Sequence, residues 1–247
     1  MPRITPFRLA AACTLALSMA LVCSAGASAA GFKAELRVVG SGGKVLVEKP
    51  IATATTSVKT SPQATCFGAG TGGSGDPATI KGNTAMGLLA RASKTVAALS
   101  PLLISDHFDF GLALCGIGSG VAKGKASWYL KINHKSPPVG GDSAVIHAGD
   151  EVLWDLAPSF PYPGELVLSG PNTAKAGMPF TVRVLSYDEK GKSKPAAGVK
   201  VTGASAPTGA DGRTTVVLSK PAQLIAQAAG EIPSAREPVC IGGKCPK

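Results

Sequence analysis

At 247 residues, 45% of them hydrophobic and 5% aromatic, the chain has room for one large domain or two modest ones. Lys and Arg outnumber Asp and Glu by 25 to 15, a net charge of +10, and a field of that sign favours anionic surfaces such as cell-wall polymers or lipid headgroups. The basic residues are dispersed and are not interleaved with aromatics, which excludes a nucleic-acid binder.

Arg3 and Arg8 precede an apolar run from Leu9 to Cys23, and small residues then lead to Ala27-Ser28-Ala29. This is the layout of a cleaved secretory signal peptide over residues 1–30, with an apolar run shorter than the roughly 20 residues that span a bilayer. Its removal takes Arg3 and Arg8 but no acid, so the mature charge falls from +10 to +8. The protein is therefore expected to be secreted or held at the cell surface, with no membrane span in the mature chain. Four cysteines remain: Cys66, Cys115, Cys240 and Cys245. Cys240-Ile-Gly-Gly-Lys-Cys245 suits a small closed loop, which leaves Cys66 to pair with Cys115. Zinc is disfavoured because paired Cys-x-x-Cys spacing is absent, and an oxidising compartment favours bridges.

Phe32, Ala34, Leu36 and Val38 alternate with Lys33, Glu35 and Arg37, which predicts a strand with one buried face. Gly40–Gly43 turns the chain into a second strand, Lys44–Glu48, so the domain opens with a hairpin. Thr53–Ala64 reads as an extended edge or a loop, and Gly68–Gly75 as a mobile loop. Asn83 or Thr84 can cap a helix carrying Met86, Leu88, Leu89 and Ala92 through Ser93. His107–Cys115 reads as a strand with Phe108, Phe110, Leu112 and Leu114 on one face. Trp128, Leu130 and Ile132 alternate with Tyr129, Lys131 and Asn133, which predicts a central strand whose second face meets solvent. Gly149-Asp150 supplies turn chemistry before a last strand, Glu151–Leu156. Together these elements predict an α+β, β-grasp-like domain with one main helix over residues 31–158.

The spacing of Trp128, Tyr129, Asn133, Gly140-Gly141, Gly149-Asp150 and Trp154 resembles the transcobalamin C-terminal-like family of secreted bacterial domains, over Phe32 to Pro158. His134 stands where members of that family usually carry glycine. The resemblance implies the same fold. It also implies that the strand end Tyr129–Lys135 and the loop after it are the positions to suspect, because the related domain of transcobalamins closes over cobalamin.

Pro158, Pro161 and Pro163 stiffen a linker over residues 159–163 and mark a domain boundary. Beyond it, short strands are expected at Leu166–Leu168, Phe180–Leu185, Val199–Val201, Thr214–Leu218 and Leu224–Ala228, with turns at Lys190-Gly191 and Asp211-Gly212. That spacing predicts a small all-β immunoglobulin-like sandwich over residues 164–247, closed by the terminal disulfide loop. The stretch from Gly198 through Asp211-Gly212-Arg213 to Leu224 resembles bacterial immunoglobulin-like or carboxypeptidase-regulatory-like modules, which are mostly spacers or surface-presented binding units.

The chemistry is sparse. There are three histidines, His107, His134 and His147, and no Gly-x-Ser-x-Gly nucleophile elbow. Gly68-Ala69-Gly70-Thr71-Gly72-Gly73 matches a dinucleotide pattern, but about ten residues of loop separate it from the helix it would need to open. His107 and Asp109 share a strand face opposite Asp106, yet a third metal ligand is not identifiable. The reading is a secreted, non-catalytic binding or surface-interaction protein without metal or cofactor. Its partner is expected to be a small molecule, corrinoid-like for instance, or a cell-envelope component. A small secreted hydrolase using His107 or His134, and a purely structural envelope protein, are the alternatives. Tyr129, Lys131, Asn133, His134 and Lys135 are the candidate binding residues: an amphipathic ring, mixed donors and acceptors, and two lysines for an anionic partner.

Overall fold

A computed structural model describes residues 31–246, so the expected signal peptide lies outside the described residues. β1 (Lys33–Gly40) and β2 (Lys44–Ala52) form the expected antiparallel hairpin. β3 (Thr56–Lys59) and β4 (Pro77–Ile80) then pair with each other. α1 (Ala85–Ser93) follows, and the Thr84 hydroxyl accepts a hydrogen bond from the Gly87 amide at 3.1 Å, as an N-cap does. β5 (Leu102–Phe108), β6 (Gly111–Ile117) and β7 (Gly120–Val121) make an antiparallel meander. β8 (Ser127–Ile132) and β9 (Glu151–Ala157) complete the first half. The principal sheet has the order β2-β1-β9-β8, with β1 and β9 parallel and the outer pairs antiparallel.

The second half begins with β10 (Glu165–Ser169), β11 (Thr173–Ala174), β12 (Pro179–Tyr187) and β13 (Ser193–Pro195). It continues with β14 (Lys200–Val201), β15 (Arg213–Val217), β16 (Ala222–Leu224), β17 (Ala226–Gln227) and β18 (Glu237–Ile241). β12 is the hub, paired with β10, β13 and β15; β11-β18-β16 and β14-β17 are separate small sheets.

The expected architecture needs correcting. The described residues are mainly β, 45% strand against 7% helix, and are divided among many small sheets; they do not form an α+β, β-grasp-like domain followed by an immunoglobulin-like sandwich. Two physical reasons account for this. α1 spans only nine residues and buries seven of them, so it is a plug within the core rather than a layer over a sheet. Thr53–Ala64, expected as an extended edge or a loop, supplies β3, which pairs with β4, and His107–Cys115, expected as one continuous strand, is split into the β5–β6 hairpin. In the second case Gly111 adopts φ +124°, and its absent side chain leaves space for the Asp142 carboxylate that accepts from the Leu112 amide at 3.0 Å. Phe110 consequently sits at a hairpin tip, 72% exposed, rather than in the core.

Each half has its own apolar cluster. In the first, Leu36, Val38, Ile80, Leu88, Leu89, Ile104, Trp128 and Trp154 pack together; in the second, Leu166, Val182, Val184, Val216, Leu224 and Val239 do so. Full burial of such a side chain contributes roughly 1.5–3 kcal/mol. A third, small cluster of Val39, Leu153 and Ile232 spans the two, and residues Gly31–Lys247 form one compact unit. Cys66 is bridged to Cys115 and Cys240 to Cys245, the pairing expected from their spacing.

Candidate functional site

Alternation along three neighbouring strands builds a second, polar face on the principal sheet. Leu36 and Val38 on β1, Trp128 and Leu130 on β8, and Val152 and Trp154 on β9 turn into the first core. The intervening residues Arg37, Lys131 and Asp155 turn the other way, together with Tyr129, Val39 and Leu153. Register sets Tyr129 opposite Asp155 and Lys131 opposite Leu153, with Arg37 beside Leu153 on the far side. That face does not meet solvent as expected. It is covered by the second half, and β8 is buried on both sides from Trp128 to Lys131.

The covered face holds a cluster of charges. Arg37, 2% exposed, donates to Glu165 and to the Pro233 carbonyl, and to Glu151 Oε1 at 3.1 Å. Lys131, 1% exposed, donates from Nζ to the Tyr187 carbonyl at 2.9 Å and lies 3.6 Å from Glu165 Oε2. Burial lowers the Lys131 ammonium from its ordinary value, against the pull of Glu165. Burial alone would raise the Glu165 carboxyl, but the His134 contact and the charges of Arg37, His134 and Lys131 outweigh it and hold it below its usual range. His134 Nδ1 stands 3.2 Å from Glu165 Oε1, an ion-pair contact whose angle is too poor for a well-formed hydrogen bond. The Glu165 contact is nevertheless the main cause of the raised His134 pKa. Asp155 is 5% exposed, its carboxyl group makes no hydrogen bond among the described residues, and burial pushes that carboxyl up to about 7.

The five candidate residues therefore fall into different roles. Tyr129 is buried, its ring stacked on Tyr162 at 3.9 Å, and burial pushes its hydroxyl up to about 12. Lys131 belongs to the charge cluster. Asn133 and His134 both take left-handed backbone, φ +49° and +68°. Asn133 is well suited to that conformation and ties the turn down, donating to Asp150 Oδ1 at 2.9 Å and accepting from the Glu151 amide at 2.9 Å. His134 is less suited, and its conformation costs of order 1 kcal/mol. The return is an imidazole laid between Glu165 and Tyr187, whose ring centre is 4.6 Å away. Lys135 forms a β-bridge with Lys190, and the Ser136 amide donates to the Glu189 carbonyl at 2.9 Å, so this loop is stitched to the second half by its backbone.

His134, Glu151 and Glu165 bring three possible metal-ligating atoms within 4.8 Å of one another. Arg37 already contacts both carboxylates and Lys131 contacts one, so a divalent ion would have to displace a guanidinium and add charge to a cluster that is already matched. Of the other metal-capable stretch, Asp106 is engaged by Ser74, from the amide at 2.7 Å and the hydroxyl at 2.6 Å. The ring of His107 packs edge-on to Phe108.

None of three prominent grooves among the described residues is lined by the five candidate side chains. The largest, about 590 Å³, lies between the 158–163 segment and the β12–β13 hairpin. Phe160, 73% exposed, stands at a right angle to Tyr162 with ring centres 5.6 Å apart. Lys190, Lys192 and Lys194 face them, with Ser186 donating to Glu231 Oε2 at 3.0 Å below. A second groove, about 450 Å³, opens between the two halves beside Asp155. The third, about 210 Å³, is rimmed by Phe67, Phe110 and Val139 and floored by Trp128 and Trp154.

No family model, curated protein or solved structure matches this chain. None of these comparisons therefore identifies a transcobalamin-like or immunoglobulin-like domain. The residues missed from sequence are those that matter most for the junction and the largest groove: Arg37, Glu165, Asp155, Phe160 and Tyr162. A faint signal existed for Glu165, the one charge on β10, and for Asp155, a charge between Trp154 and Leu156; Arg37 alternates with Lys33 and Glu35 and gave none.

Proposed function

We propose that this is an extracytoplasmic, non-catalytic binding protein that takes an anionic saccharide of the cell envelope in the groove lined by Phe160, Tyr162, Lys190, Lys192 and Lys194. The composition of that groove carries the reading: two perpendicular aromatic rings and three lysines, with the Ser186 hydroxyl and the carboxylates of Asp188, Glu189 and Glu231 also on the lining, Asp188 being taken up by the Lys190 and Lys192 amides. A sugar ring packs its C–H face on an aromatic face, its hydroxyls bond Ser186 and Glu231, and acidic substituents pair with ammonium groups. The sequence-predicted residues support this site from behind. Tyr129 backs the Tyr162 ring, and Lys135 pairs its backbone with Lys190 at the hairpin that carries the lysines.

Two further observations support the reading. The two disulfides fit an extracytoplasmic compartment. Because they engage all four cysteines among the described residues, no thiol nucleophile is left there. Among those residues, no helix is long and apolar enough to cross a membrane.

The test is binding of the secreted protein to purified anionic wall polysaccharide, with neutral glycans and cobalamin as comparison ligands, read by thermal shift and pull-down. Phe160→Ala and Lys192→Ala should each weaken binding about tenfold or more, as loss of a central contact does. Both variants binding like wild type would overturn the assignment.

A further inference from the structure

We propose that the groove between the two halves is a second binding site, specific for a primary ammonium group, with Asp155 as its counter-ion. Glu231 lines both this groove and the saccharide groove, but the ammonium site is built on Asp155, which lines this one alone. The lining is Gly40, Gly42 and Gly43 from the β1–β2 turn, Asp155, Leu156, Pro158 and Pro163 along one wall, and Gln227 to Pro233 along the other. In a chain of mature charge +8, Asp155 and Glu231 are the only charged residues on that lining, and both are acids. Glu231 Oε2 accepts from Ser186, on the side of the saccharide groove. Asp155 is free to act, since it is nine-tenths buried and its carboxyl group makes no hydrogen bond among the described residues.

A buried carboxylate without a partner is costly and calls for one. The junction supplies only the field of Arg37 and Lys131, with no hydrogen bond or ion pair to the Asp155 carboxyl among the described residues. Arg37 and Lys131 are matched by Glu151 and Glu165, so Asp155 is the carboxylate in excess on that face whenever His134 is neutral. The rest of the groove selects the kind of cation. Pro158, Pro163, Ala228 and Pro233 offer apolar walls suited to an alkyl or ring stem, which a bare ion would not use. A lone carboxylate is also far from the six or more oxygens that calcium requires. Access is set by the Gly43 turn, where a Cβ would stand only 3.0 Å from Pro233.

The groups facing Asp155 decide its pH response. Arg37 on β1 and Lys131 on β8 favour its ionised form, while burial and Glu165 on β10 oppose it. Tyr129, its cross-strand neighbour, stays neutral because burial holds its hydroxyl at about 12. Ammonium binding needs the carboxylate, so affinity rises as pH rises through about 7.

n-Butylamine, glucosamine and the amide of Nα-acetyl-lysine present the same ammonium on a simple alkyl stem, an amino sugar and a peptide side chain. Each is titrated into the secreted full-length mature protein by calorimetry at matched ionic strength, on both sides of neutrality. Saturable one-to-one binding of at least one probe is expected, tighter above neutrality, and the preferred probe identifies the source of the ammonium. Asp155→Asn, nearly isosteric, should weaken it about tenfold or more. Ala229→Trp, an exposed change at the groove wall, should do the same sterically without touching the carboxylate. The proposal is overturned if no probe saturates, or if Asp155→Asn binds as wild type does. Neither outcome bears on polysaccharide binding to the other groove.

Discussion

Glu165→Gln is the sharpest test of the junction. The substitution keeps shape and volume and removes one charge from a side chain that is 1% exposed. Glu165 is the hub of the cluster: it accepts from Arg37, faces His134 Nδ1 at 3.2 Å and lies 3.6 Å from Lys131 Nζ. Without it, Lys131 loses its carboxylate partner and Arg37 keeps the Pro233 carbonyl and one carboxylate, Glu151, whose side chain is 29% exposed. Opposite charges about 4 Å apart attract by roughly 4 kcal/mol at an effective dielectric near 20, and desolvation takes back much of that. Stranding a buried charge by deleting its partner nevertheless costs about 3–5 kcal/mol, because the desolvation is then uncompensated. Against a typical total of about 5–15 kcal/mol, that is a large share of the stability. Urea denaturation at pH 7 measures it, with the midpoint expected to fall sharply at unchanged slope. His134 should titrate at lower pH in the variant, since its main source of elevation is gone. A loss below about 1 kcal/mol would refute the argument, because that is the range of an exposed ion pair.

Asp155 is raised, so the folded state holds its proton more tightly than the unfolded chain, and stability should fall as pH rises from about 4 to about 7. The span from 3.8 to about 7 corresponds to roughly 4 kcal/mol; denaturation of Asp155→Asn at several pH values should show that this fall has gone, and an unchanged profile would count against it. His134 is raised by its partner, so its contribution is fully present below pH 6.5 and is lost as pH climbs through the folded value. His134→Gln should erase that part of the pH dependence, and a variant curve parallel to wild type would show the contact to be idle. Reducing Cys66–Cys115, with a separation of 49 residues, should cost about 4 kcal/mol by chain entropy, and reducing Cys240–Cys245, with a separation of 5, only about 2. Single Cys→Ser pairs compared by urea denaturation would expose a reversed order. Cleavage between Pro158 and Pro163 leaves each half its own apolar cluster but relies on the junction to hold them together. The two fragments should therefore co-elute in size-exclusion chromatography at neutral pH, and two separate peaks would contradict the interface.

Local signals in the sequence located most strands and the helix. The alternation from Phe32 to Val38, the apolar spacing from Met86 to Ala92 and the Trp128 strand all form elements near where they were expected. Period and capping act within a few residues, so they can be read one segment at a time. The hairpins of β3–β4 and β5–β6 were harder to read. Their ends are decided by where a glycine permits the reversal and by which partner strand lies within reach, and that is how Phe110 moved from an expected core face to an exposed tip.

The binding residues show the division most clearly. Alternation correctly placed Tyr129 and Lys131 on the face opposite Trp128 and Leu130, and cysteine spacing correctly paired Cys66 with Cys115 and Cys240 with Cys245. Periodicity cannot say what covers a face, because it carries no information about chain more than thirty residues away. Only the tertiary structure could bring Glu165 and Tyr187 over Lys131, seat Tyr162 on Tyr129, and leave the Asp155 carboxyl group at the groove without a hydrogen-bonding partner. Those contacts are set by how two apolar clusters dock across a proline-rich segment, a long-range packing outcome that no single stretch of sequence encodes.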